Sequence, residues 1–190
     1  TDLVVSDQGG KFGPFDGQLL VAEFTDAKIN RAYLEKVDGE YQGAVFPFLQ
    51  GFASGIVRLS FSKEGDLFVG MTSRGWSSLG TRAYGLQRVH WNGQTDFAMK
   101  EMKAKPDGFE LVFTEPVDAA SAGDVKSYAM SSYTYLYSSA YGSDEIDAQK
   151  LKITHATVSA DKLHVHLRVE GLRELYVHEL HAKGVKSAKG

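Results

Sequence analysis

From Ile56 to Thr72 the chain reads IVRLSFSKEGDLFVGMT. Val57, Leu59 and Phe61 alternate with Arg58, Ser60 and Ser62, the period of two that sends one side of a strand into a core and the other into water. Lys63-Glu64-Gly65-Asp66 then supplies a turn, with Gly65 free to take a positive φ. Leu67 to Met71 is almost wholly apolar, as in a strand covered on both faces. The pattern predicts a hairpin with a buried return strand, around which the rest of the chain is organised.

Similar runs recur along the chain. Leu3–Val5, Gln18–Phe24, Ile29–Val37 and Glu40–Phe48 read as strands, with Asp38-Gly39 a strong hairpin turn between the last two. Ile29, Arg31, Tyr33, Glu35 and Val37 share one face. Gly85–Trp91 and Phe97–Lys105 follow the central hairpin as strands. The Ser- and Gly-rich stretch from Thr72 to Gly85 reads as a long surface loop. Two groups of four strands, at a spacing of about 40–45 residues, are what β-propeller blades show. Two blades do not close a ring, so further blades, another chain or some other cover must protect their edges.

Pro106-Asp107-Gly108 reads as a domain boundary. Beyond it, Asp118 can cap one helical turn, and Tyr128–Tyr137 is a strand or strand pair with Tyr133, Tyr135 and Tyr137 on one face. Asp144–Gln149 reads as an acidic loop. Leu151–Val158 and Leu163–Val169 flank the turn Ser159-Ala160-Asp161-Lys162, with Leu163, Val165, Leu167 and Val169 inward and His164, His166 and Arg168 outward. Tyr176–His181 closes the series. About seven short strands in this half is a β-sandwich count. The expected fold is all-β: two propeller-type four-stranded blades over residues 1–105, then an Ig-like β-sandwich over residues 106–190.

Composition narrows the partners. The 190 residues are 43% hydrophobic and 24% charged, enough to bury a core. Abundant Gly and aromatics favour many short strands. A net charge of −3 argues against general nucleic-acid binding, which needs a basic surface. No apolar run is long enough for a helical membrane span. With no Cys, these residues hold no disulfide, no thiolate metal site and no covalent CxxCH haem. The start on Thr1 suggests a processed or excised piece.

Two resemblances extend the reading. FELVFTEPVD (Phe109–Asp118), VKSYAM (Val125–Met130), VSADKLHVHLRV (Val158–Val169) and LYVHELHAKGVKSAKG (Leu175–Gly190) resemble bacterial Ig-like domains of the S-layer-associated type. His178 and Leu180 stand where that family has small apolar residues. Gly9–Phe48, Phe52–Trp76 and Tyr84–Trp91 are similar to the C-terminal region of large secreted proteins of planctomycete-type bacteria. Those pair a sugar-dehydrogenase-like β-propeller with an Ig-like module and often a cytochrome c segment. This resemblance implies a secreted or periplasmic protein and, in the parent assembly, PQQ with Ca²⁺ or haem c.

Candidate chemistry is sparse. Arg74, Trp76, Arg82 and Tyr84 lie in or beside the Ser/Gly loop, and such propeller loops line a channel mouth where ligands bind. An Arg with a Trp suits a sugar ring or an anionic cofactor, and the resemblance makes a PQQ pocket the sharp version. A loop that simply covers a neighbouring blade is the plainer alternative. Glu23 and Asp26 hold the equivalent place in the first group, as a cation site or, more simply, a solvated turn. His164-x-His166 puts two imidazoles on one strand face. Glu179 and His181 would complete a metal set if the closing strand pairs beside them. A solvated face explains the same residues without metal. His178-Glu179-Leu180-His181 lacks the i, i+4 His spacing of a zincin. Asp144, Glu145 and Asp147 could hold Ca²⁺, although their spacing is not that of an EF-hand and a solvated loop is the simpler reading. Tyr135 and Tyr137, with Tyr133 and Tyr141, could form a carbohydrate platform or an interface patch, although one face of such a ladder more often packs inside a sandwich.

The function these observations favour is a non-catalytic binding and structural region of a secreted propeller protein, packing against other blades or a partner chain. One alternative is part of a PQQ-type sugar or alcohol dehydrogenase. Another is a carbohydrate-binding module.

Overall fold

Described by a computed structural model over residues 2–190, the chain is all-β apart from a five-residue helix and one 3-10 turn. Every strand pairing is antiparallel. The chain divides into two compact units, Thr1–Thr95 and Asp96–Gly190.

The first unit contains a four-stranded sheet, β1 (Leu3–Val5), β2 (Leu19–Glu23), β3 (Lys28–Val37) and β4 (Glu40–Leu49), in sequence order. The β3–β4 hairpin turns on Asp38 and Gly39 at φ 49° and 88°, the two positive values of a type I′ turn. A three-stranded sheet follows in the order β5 (Ile56–Phe61), β6 (Leu67–Thr72) and β7 (Tyr84–Val89). Leu67, Val69 and Met71 of β6 are buried, as the apolar return strand requires. The turn before it takes φ 95° at Gly65, whose N–H donates to the Ser62 carbonyl.

Both sheets supply one core: Leu20, Ala22 and Ile29 from the first, and Ile56, Leu59, Leu67, Val69 and Met71 from the second, joined by Phe12 and Phe52. Each large aliphatic side chain buried there contributes about 1.5–3 kcal/mol over the exposed state. Asp2 clips the sheets together, because its carboxylate accepts the Leu59 N–H at 3.1 Å as well as the Leu3 N–H at 3.0 Å. The Leu59 bond holds this carboxyl below its usual pKa.

The second unit is built on one six-stranded sheet. Its strands are β8 (Met99–Lys105), β9 (Gly108–Phe113), β10 (Ala129–Tyr135), β11 (Glu145–Val158), β12 (His164–Glu170) and β13 (Val177–His181). The spatial order is β13-β10-β11-β12-β9-β8. β11 is the hinge of this sheet. Its first half pairs with β10 and its second half with β12, with a register shift between Ile153 and His155. The sheet therefore curls into a half-barrel. Leu111, Phe113, Val165 and Leu167 from one wing and Met130 from the other fill its inside. The helix α1 (Ala119–Gly123) closes one end. As the sequence suggests, Asp118 caps it, accepting the Ser121 N–H at 2.8 Å.

Three features differ from the sequence-based expectation. Met99–Lys105 is not a fourth strand of a second blade; it pairs with β9, and β7 is the outer strand of a three-stranded sheet. Pro106-Asp107-Gly108 is accordingly a hairpin turn, with Lys105 opposite Gly108. Pro and Gly serve tight turns and linkers alike, so composition did not separate the two. Asp144–Gln149 is not an acidic loop, since β11 runs unbroken for 14 residues from Glu145. Its acidic end lies in the open, where charged side chains suit a strand, and Asp147 at φ 53° makes the local irregularity opposite Tyr133.

Candidate functional site

The proposed metal ligands do not converge. His164 and His166 lie on β12, Glu179 and His181 on β13, and β10 and β11 run between those strands. At about 4.8 Å per strand the two pairs sit roughly 14 Å apart along the sheet. Each is engaged locally. His166 Nε2 lies 3.0 Å from Asp107 Oδ1, and Arg168 Nε lies 3.2 Å from Asp107 Oδ2. Together they hold the Asp107 carboxyl below its usual range. His164 sits 3.9 Å from both Glu110 and Asp161, and His181 lies 3.2 Å from Glu179. No group of three or more His, Cys, Asp or Glu poised for a metal occurs among the described residues. The pairing order, invisible in the sequence, decides this.

Glu23 closes a local turn. Its carboxylate accepts the N–H groups of Thr25 and Asp26 at 2.9 and 2.5 Å, and Asp26 pairs with Lys28 at 2.5 Å.

The loop between β6 and β7 does bring two candidates together. Trp76 and Arg82 line a shallow open depression of about 500 Å³, with Ser73, Ser77, Ser78 and Thr81. The Arg82 N–H donates to the Ala53 carbonyl and the Leu79 N–H to the Thr25 carbonyl, which pin the loop to the core. Arg74 and Tyr84 lie outside this lining. Tyr84 begins β7 and stands 78% exposed near Leu86, on the outer side of the sheet.

The tyrosines divide between two roles. Tyr133 is buried and packs edge-on to Tyr135 at 5.5 Å. The hydrogen bond between the pair, aided by burial, pushes Tyr133 up to about 12. Tyr137 and Tyr141 lie past the end of β10 in the β10–β11 loop, fully exposed. Tyr137 therefore does not share the strand face with Tyr133 and Tyr135.

Close by is a network that the sequence did not announce. Arg173 Nη2 meets Asp147 Oδ2 at 2.5 Å, and Nη1 donates to the Asp147 carbonyl at 2.9 Å and to Ser132 Oγ at 3.2 Å. The guanidinium lies 3.5 Å over the Tyr176 ring, whose hydroxyl donates to Asp147 Oδ2 at 2.8 Å. The Tyr176 bond, above all, keeps the Asp147 carboxyl below its usual range. The network holds residues 171–176 against the β10–β11 wing. No local signal announces it, because Arg173 and Tyr176 stand 26 and 29 residues from Asp147 along the chain.

His178 belongs to the same region and points inward beside Phe109, with ring centres 5.4 Å apart. Its Nδ1–H donates to the Tyr176 carbonyl at 3.2 Å, which leaves Nε2 as the acceptor, facing the Arg173 N–H at 3.5 Å. Desolvation, then the Arg173 charge, lowers its pKa below 6.5. The unfolded chain therefore binds a proton before the folded one does, and stability falls as pH drops from about 6.5 toward the folded value. We expect the thermal midpoint of the second unit to drop by a few degrees between pH 7 and pH 5.5. The His178→Gln variant should show a visibly flatter profile in tyrosine circular dichroism over this range, and equal slopes would refute the assignment.

The first unit shows an apolar surface of another kind. On the β1–β4 sheet the register places Leu3, Val5, Leu19, Val21, Leu34 and Val45 on the face turned away from the core. Leu3, Val5, Leu34 and Val45 are 47–69% exposed. Charge sits only at the ends of this face, as Glu23 opposite Lys28 and Lys36 over the Tyr41 ring. The sheet thus carries apolar side chains on both faces. No family model, no curated protein and no solved structure matches the chain.

Proposed function

We propose that the chain is a non-catalytic binding and structural region of a secreted multidomain protein. In this reading the first unit is a pair of propeller-type blades that packs against further blades or a partner subunit, and the second unit is an Ig-like module. The supporting observation is the second apolar face of the β1–β4 sheet, because a sheet apolar on both sides is stable in water only when something covers both. The resemblance to planctomycete-type propeller proteins supplies the kind of assembly and the exported location.

The test is to load the face with charge. The intact chain should associate reversibly at high concentration in sedimentation experiments and bind an apolar-surface dye. The Leu34→Lys/Val45→Lys variant, which touches no core residue, should lose both while keeping its unfolding midpoint. A parent chain that stays monomeric and dye-silent would defeat the proposal.

A second reading rests on the depression at Trp76 and Arg82. An indole for stacking beside a guanidinium suits a sugar or an anionic cofactor, which keeps the dehydrogenase alternative in play. If it holds, PQQ with Ca²⁺ quenches the tryptophan fluorescence and Arg82→Ala abolishes the quench; no quench in the parent chain removes it.

A further inference from the structure

One end of the second unit displays side chains that the rest of the chain does not use. Leu175 is 99% exposed at φ 63°. A Cβ is crowded in this left-handed region, where Gly or Asn is the ordinary residue. The conformation costs energy, and within this chain the side chain buries nothing in return. Strain of this kind gathers where a segment must present itself to something else. Arg173 and Tyr176, on either side of Leu175, both bind Asp147, beside the stretch of β11 that pairs with Thr134 and Tyr135 at the end of β10. Leu136, Tyr137 and Tyr141 are exposed on the adjoining β10–β11 loop. That loop is braced by the Leu136 N–H, which donates to Ser143 Oγ at 2.9 Å.

The charge around these side chains has one sign. Asp144 and Glu145 leave the loop and Glu174 precedes Leu175, all three exposed. The nearby guanidinium of Arg173 is already engaged by Asp147. An apolar and aromatic patch with an acidic rim complements a partner that carries cations. We propose that this end of the second unit docks a cationic protein surface. Leu175 is the apolar anchor. The faces of Tyr137 and Tyr141 receive Lys or Arg side chains, and Asp144, Glu145 and Glu174 pair with them at the rim. A neutral glycan would use the tyrosines without Leu175 or the carboxylates, and an anionic membrane would be repelled by the rim. The inference is independent of the apolar face on the first unit.

The probes are short immobilised peptides bearing Lys and Arg among Leu and Tyr, their counterparts with every Lys and Arg replaced by Glu, and an array of neutral oligosaccharides. The intact chain should bind the basic peptides and not the acidic ones, and lose most of that binding at about 0.5 M salt. Leu175→Gly, Tyr137→Ser/Tyr141→Ser and Asp144→Lys/Glu145→Lys should each weaken it by roughly 10-fold or more. Glycine suits the backbone at position 175, so Leu175→Gly keeps or raises the unfolding midpoint, and a loss of binding there is a loss of contact. Equal binding of basic and acidic peptides, undiminished binding by the three variants, or tyrosine-dependent binding to oligosaccharides in place of peptides would overturn the proposal.

Discussion

Gly108→Ala is expected to destabilise the second unit by about 3 kcal/mol, through overpacking against a backbone that has nowhere to go. A Cβ at position 108 would stand 1.8 Å from the Leu167 carbonyl oxygen and 3.2 Å from the Arg168 Cα. Gly108 pairs with both Lys105 and Arg168, so it sits where the β8–β9 turn meets the β9–β12 ladder. Relief requires β12 to move away from β9, and Val165 and Leu167 of β12 are fully buried. Against a typical domain stability of about 5–15 kcal/mol the variant should still fold, with a clearly lower urea midpoint. Gly123→Ala is the control. A Cβ there meets nothing within 4 Å, and at the end of α1 it should be neutral or stabilising by up to about 1 kcal/mol. Both tryptophans, Trp76 and Trp91, lie in the first unit, so tyrosine signals and β12 amide exchange report the second unit. Equal midpoints for the two variants would show that β9 and β12 are not packed as closely as described.

That close approach also marks where sequence reasoning stops. Local chemistry was legible: the turns at Asp38-Gly39 and at Gly65, the cap at Asp118, and the inward set of Val165, Leu167 and Val169 all depend on neighbours a few residues away. Which strand lies beside which depends on distant partners, and there the pattern failed. Met99–Lys105 has half-buried side chains throughout and no alternation to say which sheet it joins. The separation of His164 and His166 from Glu179 and His181 follows from β10 and β11 entering between them, which no spacing along the chain records. Trp76 and Arg82 were found because both fall within one loop. The Arg173–Asp147–Tyr176 network was missed because its members come together only when residues 171–176 fold against β11. The same limit bears on function. The exposed faces that support an assembly role were visible only once the register assigned each apolar residue to the inner or outer side.

Arg31 shows how a residue on the wrong side of an alternation can organise a unit. It is 2% exposed on β3, in the inward phase set by Ile29. Its guanidinium lies 4.1 Å from the Phe15 ring centre and 4.5 Å from that of Phe46, and Nη1 donates to the Oε1 of buried Gln18. Phe15 and Gln18 belong to the glycine-rich segment before β2, so the side chain ties that segment to β3 and β4. A buried cation repays its desolvation only through such contacts, and a hydrophobe of similar volume often does as well. Arg31→Ala is therefore expected to cost about 3–4 kcal/mol, as a truncation that opens a cavity between the rings. Arg31→Met fills the same space and loses the hydrogen bond to Gln18, at about 1 kcal/mol. Arg31→Lys, which keeps the charge but not the planar stacking surface, should fall between them at about 2 kcal/mol. Urea unfolding followed by tryptophan fluorescence reads the first unit directly. If Lys proves milder than Met, the charge itself stabilises this core, and the account of Arg31 as a packing element is wrong.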